Sequence, residues 1–456
     1  MRMLPDAYNK KVEEMKKEIS QVSHVALTSD LWTSRTTESY ITITCHFLTA
    51  TWELMSLVLE TLKFDLSHTA QHIADALLQV ADNWNISTKV VAIVTDNASN
   101  IVAAVKITGW IHVPCFAHTL NLIVSEAIKS DERVNDLKKR CKQIVTFFHQ
   151  SVKATEKLKE VQFQLKLPEH KLIQEVDTRW NSTFYMFERI LEQHQAITTA
   201  LCLNSRNELC LSLADVKLLE ASLSILQPFE AATREISADK YVSISKAIPL
   251  ARSLQHITAG RSHETTLGSE LSAQMRRRYT AIERAHLLAL STLMDPRLKK
   301  MAFSNSEAAR QGEQWITQEA KDLITAATEF PAEEQDGNMQ SCGEVGEPSS
   351  GLWEFFDKKV IDSQNARSST SKATVEVRTY FGEDVLPRLE DPLSWWKINE
   401  KRFSLLSQLA KKYLSVPGTS VPSERLFSKA GELVSIRRNR LKAKNVNMML
   451  FLNKNM

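Results

Sequence analysis

From Tyr8 to Ser20 apolar residues recur at helical spacing, with Val12, Met15 and Ile19 on one face, which predicts an amphipathic helix. Three strand-like runs follow. His24–Ser29 is short and ends at Asp30. Tyr40–Thr49 alternates, placing Ile41, Ile43, Cys45 and Phe47 on one face and Thr42, Thr44 and His46 on the other. Glu53–Phe64 carries Leu54, Leu57, Val58 and Leu59. Ser67 is then expected to cap a helix reaching about Trp84. A fourth strand, Val90–Thr95, ends at Asp96 and leads into a helix over Asn97–Thr108. A short strand, Ile111–Cys115, precedes a helix from Ala117. Three consecutive strands can form an antiparallel meander, and later strands joined by helices pair in parallel. The order therefore predicts a mixed sheet with helices on its faces.

Beyond about Asp131 the period changes to three and four, as in Leu218, Leu219, Leu223, Leu226 and Phe229. That helical pattern holds to Thr328. Glu329–Lys372 breaks it with Gly, Ser, Pro and acids, although Trp353, Phe355 and Phe356 form an aromatic island inside it. Four divisions follow: residues 1–130, a helical segment 131–328, a disordered linker 329–372, and a C-terminal region 373–456. In the last region Asp391–Trp396 opens a helix whose core face is Phe403, Leu406, Leu409, Ala410 and Tyr413. Pro417 and Pro422 bracket a loop, a second helix starts near Ser423, and a third spans about Lys444 to Leu452.

Composition narrows the chemistry. The chain has 456 residues and only 11 glycines, and no G-x-G-x-x-G or G-x-x-x-x-G-K-[ST] can be written anywhere in it. Glycine-cradled nucleotide sites are excluded as motifs, and no nucleotide cofactor is expected. The formal charge of +3 conceals an asymmetry: from Lys397 to Met456 there are 13 basic and 3 acidic residues. Such a region suits a polyanionic partner or a solvated face. The six cysteines are scattered, none in C-x-x-C, which suits a reducing compartment. No apolar run approaches the ~18 residues that span a bilayer, so no membrane partner is expected.

Asp30 and Asp96 close strands that the pattern makes neighbours. Two carboxylates at one sheet edge repel unless a cation lies between them, and hard divalent ions prefer such oxygens. Paired ions of this kind support phosphodiester hydrolysis. A third carboxylate usually completes the set, and Glu424 is the candidate. Each aspartate taken singly could equally be a turn or cap residue. His112, Cys115 and His118 have ligand-like spacing, but no fourth ligand lies nearby, so no zinc site is expected.

The local sequences match a family. Leu27-Thr28-Ser29-Asp30-Leu31-Trp32-Thr33-Ser34 and Val94-Thr95-Asp96-Asn97-Ala98-Ser99-Asn100 resemble the first and second acidic motifs of hAT (hobo/Activator/Tam3) transposases. Cys115-Phe116-Ala117-His118 and Arg179-Trp180-Asn181-Ser182-Thr183 look like their C-x-x-H and Arg-Trp motifs. Asp295-Pro296-Arg297-Leu298-Lys299 fits their helical part, and Asp391–Asn453, centred on Ser423-Glu424-Arg425-Leu426-Phe427, resembles their dimerisation region. The wording is most similar to zinc finger BED domain-containing proteins.

The resemblance implies a ribonuclease-H-like mixed sheet interrupted by a large all-helical insertion, completed by a helical C-terminal region. It implies that Asp30, Asp96 and Glu424 are catalytic and hold two Mg²⁺ ions, for strand cleavage, hairpin formation and strand transfer. It implies DNA contacts by Arg179 and Trp180, the latter stacking on a base or serving as core. Arg437, Arg438, Arg440, Lys442 and Lys444 would bind phosphates, form a nuclear import signal, or solvate a helix. Cys115 and His118 would brace the sheet. Trp395, Trp396, Phe403, Leu406, Leu409, Tyr413, Met449 and Leu450 would form core and dimer interface. The Cys/His pattern of a BED finger does not occur, so sequence-specific recognition is not expected of these residues. The leading expectation is a nuclear, DNA-binding, dimerising regulator derived from a transposase. An active transposase and a pure dimerisation module are the alternatives.

Overall fold

Alternating polarity builds the sheet. The computed structural model describes residues 3–34, 38–238, 241–329, 369–421, 423 and 443–455. Helix α1 (Met3–Ser20) leads into β1 (Val25–Thr33), β2 (Ser39–Leu48) and β3 (Leu54–Lys63). Then come α2 (Ala70–Asn83), β4 (Val90–Thr95), α3 (Ser99–Thr108), β5 (Ile111–Pro114) and α4 (Phe116–Ser130). The five strands pair in the order β3-β2-β1-β4-β5; β1–β3 form an antiparallel meander, and β1, β4 and β5 run parallel.

Period two assigns each face a different cover. Leu27, Ile41, Ile43, Cys45, Phe47, Leu57, Leu59 and Ile93 pack with Met15 and Ile19 of α1, Ile73 and Leu77 of α2, and Ile101 of α3. Ala26, Leu48, Ala92 and Val94 face a second core that includes Leu290, Leu293, Tyr380, Trp396, Leu406 and Tyr413. These residues come from the far end of the chain. They lie on α12 (His286–Leu293), α14 (Ser369–Gly382), α15 (Pro392–Asn399) and α16 (Leu406–Leu414). The last described helix, α17 (Ala443–Asn455), adds Phe451 to the first face and covers the edge strand β3. Its Asn455 amide accepts from the Val58 N–H at 3.0 Å and donates to the Val58 carbonyl at 2.8 Å. Asn447 accepts from the Thr61 N–H at 2.8 Å. Side-chain amides thus satisfy the backbone that an edge strand would leave open.

Between α4 and α12 the chain is helical: α5 (Glu132–Gln150), α6 (Val152–Gln164), α7 (Trp180–Glu192), α8 (His194–Leu203), α9 (Leu213–Ile236), α10 (Ala247–Arg261) and α11 (Thr266–Tyr279). Their apolar stripes share one core with α4. The helix α13 (Ser306–Glu329) follows α12.

Three expectations change. Strand β1 does not end at Asp30 but continues to Thr33, because pairing with β2 persists through Thr33↔Ser39. The cap of α2 is Thr69, whose hydroxyl accepts from the His72 N–H; Ser67 instead meets the His72 ring. The helix expected from Asp391 through Tyr413 is two helices. Glu376 supplies the break: its buried carboxylate accepts from the N–H groups of Leu405 and Leu406, both at 2.8 Å, and so caps α16 from outside. Trp396, Phe403, Leu406, Leu409, Tyr413 and Leu450 are buried in the chain's own cores, and Trp395 and Met449 are half-buried. The core part of that expectation thus holds for the six buried residues, while Trp395 and Met449 keep part of their surface exposed. Of the expected 329–372 linker only Glu329, which ends a helix, and residues 369–372, which start α14, are described; its aromatic island lies outside the described residues, as does the helix expected near Ser423 apart from Ser423 itself.

The Asp295-Pro296-Arg297-Leu298-Lys299 run proves to be a clamp. Asp295 is fully buried and takes Arg297 Nε at 2.9 Å, Arg297 Nη2 at 2.7 Å and the Ser245 hydroxyl at 2.6 Å. Lys299 holds a positive φ of 44° and sends Nζ into the carbonyls of Tyr380 and Glu383 at 2.7 and 2.9 Å. A cation on the last carbonyls of α14 complements that helix end. The clamp joins the insertion to the C-terminal helices.

Candidate functional site at the ends of β1 and β4

Parallel pairing sets Thr28 opposite Val94. Two residues further along each chain lie Asp30 and Asp96, on the same side of the sheet as Thr28. Each aspartate thus lies two positions beyond the last β1–β4 pair, Asp30 still inside β1 opposite Thr42 and Asp96 one residue past β4. Asp96 leaves the end of β4 and turns the chain: its Oδ1 accepts from the Ala98 N–H at 3.1 Å. Both aspartates are half-buried. His112 of β5 lies alongside, sharing a 2.9 Å hydrogen bond with the Thr95 hydroxyl. Burial lowers the His112 pKa, and the Asp96 backbone and charge oppose that shift.

Beneath the aspartates lies a row of buried hydroxyls. Thr28 Oγ1 is 2.5 Å from Thr44 Oγ1 and 2.5 Å from Ser423 Oγ. Thr44 shares a 2.7 Å hydrogen bond with His46 Nε2. Thr42 takes the Trp32 indole N–H at 3.2 Å and meets Thr61 at 3.3 Å. Ser423 comes from nearly 400 positions away, yet it bonds to the strand that carries Asp30. The residue after it is Glu424, which lies outside the described residues.

The segment leading to Ser423 is fastened in steps. Gly418 donates its N–H to the Ser243 hydroxyl at 2.9 Å and accepts from the Phe116 N–H at 3.1 Å. A Cβ at Gly418 would meet Ile236 Cδ1 at 3.0 Å, which gives glycine a packing reason here. The Ser420 N–H donates to Cys115 Sγ at 3.3 Å. Cys115 also accepts from the His118 N–H at 3.4 Å and donates its own N–H to the Thr95 carbonyl at 2.8 Å. Cys115 is a buried junction between β4, α4 and the C-terminal strap. His118 contributes to it through its backbone N–H. Among the described residues, no group of three or more His, Cys, Asp or Glu is placed to hold a metal ion.

The remaining predicted residues lie elsewhere. Trp180 starts α7, is 3% exposed and packs edge-on against Phe184, with ring centroids 6.4 Å apart. Its ring belongs to the insertion core, which favours the core alternative over stacking on a base. Its neighbour Arg179 is exposed. Lys444 is exposed at the start of α17. Arg437, Arg438, Arg440 and Lys442 lie outside the described residues. The sequence put Thr44 and His46 on one strand face and gave His112 ligand-like spacing, but it did not link Thr28, Thr44, His46 and Ser423 into one hydrogen-bonded row. The available signal was Thr42, Thr44 and His46 alternating with a purely apolar face in a strand covered on both sides.

Burial makes His46 a pH sensor of stability. Burial, then the charge of Lys454, hold its imidazole down to about 3, against an ordinary value of 6.5. The unfolded chain protonates this group first as pH falls. Its contribution is complete above pH 6.5 and is lost progressively toward pH 3. The stability difference between the wild type and His46→Gln should therefore shrink by about 2–4 kcal/mol between pH 7 and pH 4, measured by urea unfolding.

These elements define a class: a ribonuclease-H-like α/β sheet that carries an all-helical insertion and is closed on both faces by C-terminal helices. Comparison with known proteins agrees segment by segment. Residues 28–109 match the ZBED1 RNase-like domain, 113–236 the ZBED1 RNase-like helical domain, and 376–456 the hAT family C-terminal dimerisation region. The chain thus carries both ZBED1 RNase-like segments and the hAT C-terminal dimerisation region, and nearly its whole length is similar to zinc finger BED domain-containing proteins. It is 31% identical to human zinc finger BED domain-containing protein 4 over 98% of its own length and 38% of that protein. It is 25% identical to the RICESLEEPER 2 protein of Oryza sativa subsp. japonica over 93% of its length and 63% of that protein. With a putative AC transposase of Zea mays, identity is 23% over 98% of this chain and 59% of that one. The chain thus spans between about two fifths and two thirds of these relatives. Among the described residues no helix is long and apolar enough to cross a membrane.

Proposed function

We propose that the chain works in the nucleus as a self-associating, DNA-binding regulator of transcription or chromatin, derived from a hAT transposase. The observation that carries this reading is the match of residues 376–456 to a dimerisation region within a stretch that is strongly basic from Lys397 onward. Arg437, Arg438, Arg440, Lys442 and Lys444 supply the phosphate contacts and the import signal, and exposed Arg179 supplies one more contact. Self-association uses surface outside the intrachain core. Leu389 and Ile398, 88% and 83% exposed, are apolar positions of this region available for it. Co-sedimentation of the full chain with duplex DNA tests the reading.

A second reading, metal-dependent strand cleavage, is favoured by the placement of Asp30 and Asp96 two positions beyond the paired Thr28 and Val94 of adjacent strands. Two oxygen-donor side chains so placed fit a hard cation such as Mg²⁺, with Glu424 as the third ligand. When bound, the ions would activate water and stabilise a leaving oxygen. The chain's own part is to hold the carboxylates. Thr28 fixes the position of Ser423, and the Asx turn fixes Asp96. Calorimetric titration with Mn²⁺ is expected to show binding that weakens at least about tenfold in Asp30→Asn and in Asp96→Asn. Unchanged binding in both variants removes this reading and leaves the first intact.

A further inference from the structure

The connection between α8 and α9 brings two thiols together away from the sheet edge. Cys202 Sγ and Cys210 Sγ stand 3.9 Å apart. Cys202 is exposed and Cys210 half-buried, whereas Cys45, Cys115 and Cys141 are buried. We propose that Cys202 and Cys210 are a modification site, closing to an intrachain disulfide on exposure to a hydroperoxide.

The backbone already holds the pair in place. Asn204 closes the end of α8 by donating Nδ2 to the Ala200 carbonyl at 2.7 Å, and Ser205 turns the chain with φ of 54°. The Arg206 N–H returns to the Leu201 carbonyl at 2.9 Å, and its guanidinium lies 4.9 Å from the Phe147 ring centroid. The Cys210 N–H reaches the Asn207 carbonyl at 3.0 Å, and the Arg140 guanidinium pairs with Asp215 at 2.8 Å just beyond. A disulfide needs about 2.05 Å between sulfurs, so side-chain rotation has under 2 Å or so to close within a loop already formed.

The chemistry balances. The more accessible Cys202 sulfur attacks the hydroperoxide, breaking the O–O bond. It becomes a sulfenic acid as the alcohol or water leaves. Cys210 then attacks that sulfur. The S–S bond forms, the S–O bond breaks, and the hydroxyl departs with the thiol proton as water. Two thiols are oxidised by two electrons, and one hydroperoxide is reduced. Burial and the adjacent Cys202 raise the Cys210 pKa, which disfavours its thiolate and leaves the first attack to the exposed Cys202.

Tryptic mapping reads the result, because Arg206 lies between the two cysteines. The full chain is treated with hydrogen peroxide, alkylated and digested. Peptides Ile190–Arg206 and Asn207–Lys217 are expected to travel as one linked species in at least about half of the chain. They should separate with dithiothreitol. The link should be absent from Cys202→Ser and retained when the sixth cysteine, Cys342, which lies outside the described residues, is replaced in Cys342→Ser. Recovery of unlinked peptides with Cys202 as sulfinic acid, or a link from Cys202 to any other cysteine, overturns the proposal.

Discussion

Replacement of Asp295 by alanine is expected to lower the unfolding free energy by about 3–5 kcal/mol, read from the urea midpoint. The size follows from what the carboxylate leaves behind. Asp295 is 0% exposed and the Arg297 side chain 8%. Removing the acid strands a buried guanidinium without its two partner oxygens, and it orphans the Ser245 hydroxyl. Removing both charges in Asp295→Leu with Arg297→Met should recover much of the loss, since an apolar pair avoids the uncompensated charge. If the double variant is as unstable as Asp295→Ala, the clamp acts through something other than the ion pair.

Replacing Arg437, Arg438, Arg440, Lys442 and Lys444 together by glutamine should cut affinity for duplex DNA by about 10²–10³ at near-physiological salt. Each phosphate contact contributes about −0.9 to the slope of log K against log salt, so five contacts give about −4.5. The variant should show a slope shallower by that amount, at every duplex sequence tried. Sequence independence follows because phosphate contacts position the protein and carry no base information. Fluorescence anisotropy across a salt series measures both quantities. A variant with an unchanged slope would assign DNA affinity to other residues.

Much of this architecture was legible beforehand because periodicity reports burial. Ile41, Ile43, Cys45 and Phe47 fall on one face, and that face is a core. The adjacency of β1 and β4, the strands that lead to Asp30 and Asp96, was legible for the same reason. The length of β1 was not legible, because strand ends are set by a partner's register rather than by local residues. Nor was the capping of α16 by Glu376, a contact from 29 and 30 positions away. The stripe from Phe403 to Tyr413 looked the same whether it met its own chain or another; only tertiary packing shows that Trp396 and Tyr380 fill that space, 5.3 Å apart. Trp180 stayed open between two readings for a related reason: aromatic character does not distinguish stacking on a base from packing on Phe184. The Thr28–Ser423 contact was invisible because no local pattern links residues so far apart.

The central claim is that one chain both self-associates and binds DNA. Sedimentation velocity of the full chain with a fluorescent duplex, at micromolar concentration and low salt, tests both at once. The account predicts that the duplex sediments with two chains and is released as salt rises, while the chains stay paired. A duplex that sediments alone beside a monomeric chain would contradict it.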